Sequence, residues 1–226
     1  MPAVSVRKTM FCFAVYLLVS VLLVWPLQFH LNSTLFRGYG DAYGDVWSMW
    51  INIPKPMGPH ASRIAAPFES SAGPVTGQPV LEALVISLAK LVGEVAGYNL
   101  FVILALPLTA FATYLFLYWV FRQEAAAFFG GLIFGFCPAT VMHAAAGHLG
   151  FALNAFIPLL LLALFYNRVQ RSWTSGSLAG AAYALLTLTC LYWGYFGIYA
   201  VLYFIAWDYF KFETRRTLPF WLNYSL

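Results

Sequence analysis

Residues 178–207 include no charged side chain, and this stretch sets the strongest limit on how the chain can fold. As one α-helix it would be about 45 Å long, at about 1.5 Å per residue, whereas the hydrocarbon core of a bilayer is about 30 Å thick. We therefore predict two tightly joined transmembrane helices that turn near residues 192–195, where Tyr and Trp favour the membrane interface.

Charge is scarce throughout the chain. Of its 226 residues, 62% are hydrophobic and 9% are charged, whereas soluble domains carry about 25% charged residues. The composition predicts an all-α, polytopic bundle of about six transmembrane helices, forming a single domain over residues 1–226. The net charge of +4 is not read as a nucleic-acid footprint, because in a membrane protein the position of basic residues matters more than their sum. We expect membrane lipids as partners and no nucleic acid.

The other predicted crossings are apolar runs bounded by polar turns, at residues 11–29, 99–121, 125–146 and 152–166. A cleavable signal peptide is the rival interpretation of the first run. That run is long and no A-x-A site follows it, which favours a transmembrane helix with a cytoplasmic N-terminus.

The basic residues support this topology. Six crossings place eight of them in the cytoplasm: Arg7, Lys8, Arg122, Arg168, Arg171, Lys211, Arg215 and Arg216. Four lie outside: Arg37, Lys55, Arg63 and Lys90. This distribution obeys the positive-inside rule, whereas five crossings would leave the last three basic residues outside. We predict a multi-pass protein of the plasma (inner) membrane.

The first external loop, about residues 30–97, is long and polar. Within it, residues 80–95 carry Leu and Val at helical spacing, with Glu82, Lys90 and Glu94 on the other face. This pattern favours an amphipathic helix that lies parallel to the membrane, because a spanning helix would bury those charges in lipid.

Two carboxylates stand four residues apart in the segment GYGDAYGDVWSMW, residues 38–50. On a short helix over residues 41–53, Asp41 and Asp45 would share one face, and Trp47, Trp50 and Ile51 would take the opposite face. Such a pair can provide a base of raised pKa or hold a divalent metal. The alternative is a helix N-cap at Asp41 with Asp45 as a solvated acid of the first turn.

Two histidines occur in MHAAAGHLGF, residues 142–151, between the third and fourth predicted crossings. The topology brings His143 and His148 to the same membrane face as the two aspartates. They can bind phosphate, transfer protons or hold a metal, and polar caps on helix ends are an equally good interpretation.

Other polar groups of the external loop add cationic charge. Arg37, His60 and Arg63 together would clamp a phosphate or pyrophosphate, although each alone would contact lipid headgroups equally well.

The interiors of crossings two, four, five and six contain no Asp, Glu, Lys or Arg, which argues against ion-coupled transport.

The order of these features resembles the N-terminal part of the GT-C superfamily of integral-membrane glycosyltransferases, in its bacterial type. The resemblance begins with Gly40-Asp41 and the later Trp47 and Trp50. It continues through PFESSAGPVTGQPV, GYNLFVILALPLTAFATYLF, AAAFFGGLIFGFCPATVMHAAAGHLGF, FIPLLLLAL and CLYWGYFG.

The resemblance implies transfer of a sugar from a polyprenyl-phosphate donor to a glycan, lipid or protein acceptor on the extracytoplasmic face. It implies Asp41 as the base, and Asp45 as a second acid or as a ligand, with Asp41, of a divalent cation such as Mg or Mn. Beside the resemblance, we predict Arg37, His60, Arg63, Glu69, His143 and His148 as substrate contacts.

Two further expectations accompany this resemblance. Relatives have more crossings and often a soluble C-terminal portion, so we expect this chain to be the N-terminal part of a longer protein. The alternative function is a non-catalytic membrane subunit or a small-molecule permease.

Overall fold

The computed structural model describes residues 6–37, 40–52 and 78–210. Within those ranges every regular element is helical and none is a strand. The ten α-helices are α1 (Val6–Leu23), α2 (Ala42–Asn52), α3 (Pro79–Val92), α4 (Glu94–Phe121), α5 (Glu124–Gly135), α6 (Pro138–Ala146), α7 (Leu149–Ala152), α8 (Phe156–Gln170), α9 (Trp173–Thr189) and α10 (Leu191–Phe210). The all-α prediction is confirmed for the described residues.

Three helical stretches among the described residues are long and apolar enough to cross a membrane: Val6–Leu23, Glu94–Phe121 and Glu124–Ala146. Helix α8 is apolar but has only 15 residues. Helix α10 has 20 residues but is not among the three, since its many Tyr and Trp residues lower its mean hydropathy. The prediction of about six crossings therefore stays a prediction.

Proline explains where several boundaries differ from the predicted ones. Helix α1 ends at Leu23 rather than near residue 29, because Pro26 cannot continue a helix and restricts the residue before it. The predicted run over residues 125–146 is divided into α5 and α6, with Pro138 at the first position of α6. Helix α8 begins at Phe156 rather than residue 152, with Pro158 in its first turn, where a missing N–H costs nothing.

The predicted turn within residues 178–207 exists but lies elsewhere. Helix α9 ends at Thr189 and α10 begins at Leu191, so extended Cys190 separates them, with φ −152° and ψ 111°. Residues 192–195, where the turn was predicted, form the first turn of α10. A Cβ at Gly194 would lie 2.5 Å from the Thr187 hydroxyl oxygen, so glycine allows the two helices to approach closely here.

The chain divides into two compact units: residues 1–107 with 136–153, and residues 108–135 with 154–226. In the first unit, buried Asn99 on α4 fixes the segment before α2. Its side-chain oxygen accepts from the Phe36 N–H at 3.0 Å, and its amide nitrogen donates to the Leu31 and Thr34 carbonyls at 2.8 and 2.7 Å. The Ser20 hydroxyl donates to the Ile103 carbonyl at 2.7 Å, which links α1 to α4.

The amphipathic segment forms α3 only as far as Val92, and residues 94–95, predicted to belong to it, open α4 after Gly93. Helix α3 folds back along α4. Leu81, Val85 and Ala89 form its buried row. A Cβ at Gly97 would lie 2.6 Å from the Ala89 backbone, so only glycine permits this close approach. The adjoining apolar row is left exposed, with Leu84 at 42% and Leu91 at 79%.

The second unit has a core of Leu160, Ala163, Leu164, Ala179, Leu186 and Phe204, contributed by α8, α9 and α10. Helix α9 begins with a capping box, in which the Ser172 hydroxyl accepts from the Ser175 N–H. Arg168 on α8 and Asp208 on α10 form an ion pair at 3.2 Å, and Asp208 is buried. The Arg168 guanidinium also lies 5.4 Å from the centre of the Trp207 ring.

Candidate functional site

Asp41 and His148 meet within the first unit, although 107 positions separate their numbers (148 − 41). The Asp41 Oδ2 atom lies 3.3 Å from the His148 Nε2 atom. Their side chains are 73% and 39% exposed, so the pair remains open to solvent or substrate. The structure therefore brings together two of the residues that the sequence assigned to one membrane face.

Close backbone contacts hold Asp41 in this place. The Asp41 N–H donates to the Ala146 carbonyl at 3.0 Å. Gly40 and Gly147 have positive φ values of 67° and 85°, which glycine adopts without strain. A Cβ at Gly40 would lie 2.6 Å from the Ala146 oxygen, and one at Gly147 would overlap the backbone of Ala42. The two glycines thus let the start of α2 lie directly against the end of α6.

His143 extends the contact from Asp41 through His148. The Nδ1 atoms of His143 and His148 lie 2.9 Å apart, at hydrogen-bond distance. The backbone supports this, since the His148 N–H donates to the His143 carbonyl at 2.9 Å. Phe151 stacks on the His143 ring with centroids 4.7 Å apart and an interplanar angle of 20°. His148 occupies the N-cap position of α7, but its ring makes no capping hydrogen bond.

Asp45 has a different environment from Asp41. It lies one turn along α2 and lines a small cavity of about 20 Å³, which holds about one water molecule. The other lining residues are Ser48, Met49, Leu81, Glu82, Val85, Ile86 and Leu149. Its Oδ2 atom is buried and has no hydrogen-bond partner among the described residues.

Burial raises the pKa of the Asp45 carboxyl from 3.8 to about 7, and the negative charge of Asp41 contributes a smaller part of the increase. The interpretation of Asp45 as a solvated acid of the first turn is therefore wrong. Asp41 does precede α2, and its carbonyl accepts from the Asp45 N–H at 2.9 Å, but its side chain contacts His148.

The remaining predicted site residues are placed as follows. Arg37 is exposed, with φ 52°, and no contact among the described residues joins it to the Asp41 cluster. His60, Arg63 and Glu69 lie outside the described residues. Trp47 is 38% exposed and Trp50 is half-buried, while the Ile51 side chain lies outside the described set.

The described residues offer few metal ligands. No group of three or more His, Cys, Asp and Glu side chains among them is arranged to hold a metal ion. The two histidines face each other through Nδ1, which uses one nitrogen of each ring for their mutual contact. Among the described residues, Asp41 and Asp45 therefore belong to no cluster of three such ligands.

The sequence argument missed three features of this site. Phe151 and Gly147 lie within MHAAAGHLGF, where glycines beside His148 were a readable sign of a close backbone approach. Glu82 shares the Asp45 cavity, and no spacing rule connects it to residue 45.

No protein-family model matches the chain, and no match was found among curated proteins or solved structures.

Proposed function

We propose that the chain is a membrane glycosyltransferase module, which transfers a sugar from a polyprenyl-phosphate donor to an acceptor hydroxyl. The observation that carries this proposal is the cluster of Asp41, Asp45, His143 and His148 in the first unit. It combines an exposed carboxylate paired with an imidazole and a buried carboxyl whose pKa is raised to about 7.

These two carboxyl groups suit general acid–base chemistry. A catalytic group works best when its pKa lies near the working pH, and burial brings Asp45 to that range. Asp41 stays exposed beside His148, with its Oδ2 atom 3.3 Å from the Nε2 atom of that ring. Two neighbouring carboxyl groups in different environments are a recurring sign of divided acid and base roles.

In the proposed reaction, an oxygen of the acceptor attacks the anomeric carbon of the donor sugar. The bond from that carbon to the phosphate oxygen breaks, and its electron pair leaves on the polyprenyl phosphate. The acceptor proton passes to the cluster formed by Asp41, His148 and His143. Arg37, His60, Arg63 and Glu69 are proposed to contact the donor phosphate or sugar, with His143 and His148 also within reach of the phosphate.

The membrane arrangement belongs to the same proposal. Six crossings with a cytoplasmic N-terminus put this cluster on the extracytoplasmic face of the plasma membrane. Helix α3 would rest its exposed row, which includes Leu84 and Leu91, at the level of the lipid headgroups. The lipid carrier would then approach the cluster from the side, with its phosphate at the height of the aspartates.

The proposal is tested with the full chain in nanodiscs, supplied with polyprenyl phosphates that carry radiolabelled hexoses or pentoses. The readout is labelled sugar on added membrane-lipid or glycan acceptors. We expect Asp41→Asn to lower transfer by about 100-fold or more, in the range typical of lost acid–base catalysis.

Glu82→Gln is the matched control, since it also removes a carboxylate of the first unit. The Glu82 carboxylate accepts from the Gln78 N–H at 3.4 Å, and its loss should leave most of the transfer activity. Transfer that is unchanged in Asp41→Asn would remove Asp41 from the mechanism, and no transfer by the unmodified chain from any donor would overturn the proposal.

A further inference from the structure

The two short contacts of His148 restrict where protons can reside. A neutral imidazole carries one N–H and one acceptor nitrogen. His148 faces Asp41 through Nε2 at 3.3 Å and His143 through Nδ1 at 2.9 Å. Each nitrogen of the His148 ring therefore contacts one neighbouring side chain. The two Nδ1 atoms, 2.9 Å apart, form a hydrogen bond only when one of them carries a proton and the other does not.

The ionised carboxylate of Asp41 fixes the order of protons in the neutral cluster. Since that carboxylate offers only lone pairs, its contact with the His148 Nε2 atom at 3.3 Å is attractive when Nε2 carries the proton of neutral His148. The His148 Nδ1 atom is then an acceptor, so His143 must donate from its own Nδ1 atom. This leaves a lone pair on the His143 Nε2 atom at the outer end of the chain of contacts.

Adding one proton rearranges the same contacts without breaking them. A proton that binds the His143 Nε2 atom allows the His143 Nδ1 proton to move to His148. His148 is then an imidazolium that donates to both neighbours, and its positive charge lies beside the Asp41 carboxylate. The neutral and protonated forms therefore share one geometry.

The surroundings keep His143 in the orientation that this requires. Phe151 covers one face of its ring, and the turn through Gly147 fixes the spacing of the two histidines. The other titratable groups near the cluster are Asp45 and Glu82, which share a cavity, and Tyr98, which interacts electrostatically with Asp45. Burial, together with the neighbouring His148 ring, lowers the pKa of His143, which favours the neutral form that accepts a proton.

We propose that Asp41, His148 and His143 form a proton relay whose accepting atom is the His143 Nε2 atom, with Asp41 as a positioning residue. The relay rests on the proposed glycosyl transfer for its role. The acceptor hydroxyl gives its proton to His143 Nε2 as its oxygen bonds to the sugar. The His143 Nδ1 proton moves to His148, and the relay returns its extra proton to water after the product leaves.

The proton positions are measured by solid-state nitrogen-15 NMR on the full chain in nanodiscs, with labelled histidine. Substitution of each histidine by Gln assigns the eight ring-nitrogen signals, two each from His30, His60, His143 and His148. At alkaline pH, we expect an Nδ1–H form for His143 and an Nε2–H form for His148. Nε2–H forms in both rings would overturn the relay, because the Nδ1 atoms would then share no proton.

Asp41→Asn gives a second test. The carboxamide can donate as well as accept, so the proton of neutral His148 is no longer held on Nε2. We expect Asp41→Asn to add the reversed forms, Nε2–H for His143 and Nδ1–H for His148, while Glu82→Gln leaves the signals unchanged. Unchanged signals in Asp41→Asn would contradict the positioning role of Asp41.

The pH profile of sugar transfer separates the relay from a purely structural role. If His143 is the base, its protonation lowers transfer at acidic pH, and His143→Gln removes this acidic limb from the transfer that remains. A structural role would lower transfer equally at every pH and would refute the relay. If the expected Nδ1–H and Nε2–H forms are observed but no sugar is transferred, only the proposed function is refuted. If sugar is transferred but both rings are in the Nε2–H form, only the relay is refuted.

Discussion

The two units each contain an acid paired with a basic side chain at nearly the same distance, yet in opposite environments. Asp41 and His148 lie 3.3 Å apart with side chains 73% and 39% exposed, whereas Asp208 and Arg168 lie 3.2 Å apart with side chains 8% and 24% exposed. A buried pair holds helices together and its loss is costly. An exposed pair contributes little to stability. The contact between Asp41 and His148, beside the turn at Gly147, therefore needs another explanation.

The largest effect on stability should follow from Arg168→Met. It leaves the Asp208 carboxylate buried without its cation and removes the contact with Trp207, so the free energy of unfolding should fall by about 3 kcal/mol. SDS titration of the purified chain in mixed micelles measures this. The double variant Arg168→Met with Asp208→Leu should recover most of the loss. A single variant as stable as the unmodified protein would show that burial does not distinguish the two pairs.

The next effect is the pH dependence caused by Asp45. Its pKa is about 7 in the folded chain and near 3.8 when unfolded, so the folded state binds the proton more tightly. The free energy of unfolding should therefore fall as pH rises from about 4 to about 7. Each unit of pKa difference corresponds to about 1.4 kcal/mol, so the total is a few kcal/mol at most.

Asp45→Asn provides the comparison for this pH dependence. Unfolding is measured at several pH values for both proteins, and the difference between them isolates Asp45 from other titrating groups. The variant should gain relative stability above pH 7. Parallel stability curves for the two proteins would show that Asp45 is not held in a desolvated position.

A smaller change is expected from Gly147→Ala. The residue has φ 85°, where a side chain is strained, and a Cβ would overlap Ala42. We expect a loss of about 1–3 kcal/mol, together with separation of Asp41 from His148 and loss of sugar transfer. Gly44→Ala is the control, because a Cβ there meets nothing within 4 Å. Equal behaviour of the two variants would contradict the close approach of α2 to α6.

The smallest effect on stability should come from Asp41→Asn. The Asp41 pair is exposed, so its loss should change the free energy of unfolding by less than about 1 kcal/mol. The same SDS titration measures this beside Arg168→Met. A loss as large as that of Arg168→Met would assign Asp41 a structural role and remove the contrast between the two pairs.

Apolar runs and polar turns predicted the helical class, and the amphipathic pattern over residues 80–95 predicted α3. The helix ends were harder to predict from the sequence. Pro138 divides one predicted run into two helices, and the break at Cys190 has no turn-forming residue to indicate it. The end of α1 before Pro26 was readable from the rule on prolines.

The site was predictable only as a set of residue types. Spacing identified Asp41 and Asp45, but it did not show that one is exposed and the other buried, since that depends on how α3 covers α2. The contact between His143 and His148 depends on the turn at Gly147, and the Asn99 hydrogen bonds that fix the preceding segment connect residues more than sixty positions apart. Long-range contacts of this kind leave no periodic signal in the sequence.

The central claim is that Asp41 and His148 act as one unit in sugar transfer. The most direct measurement compares the transfer rates of Asp41→Asn, His148→Gln and the double variant in nanodiscs, with Glu82→Gln as control. Residues that act as a unit give strongly non-additive losses, so the double variant should be about as impaired as either single one. Losses that multiply in the double variant, or rates equal to that of the unmodified chain, would contradict the account.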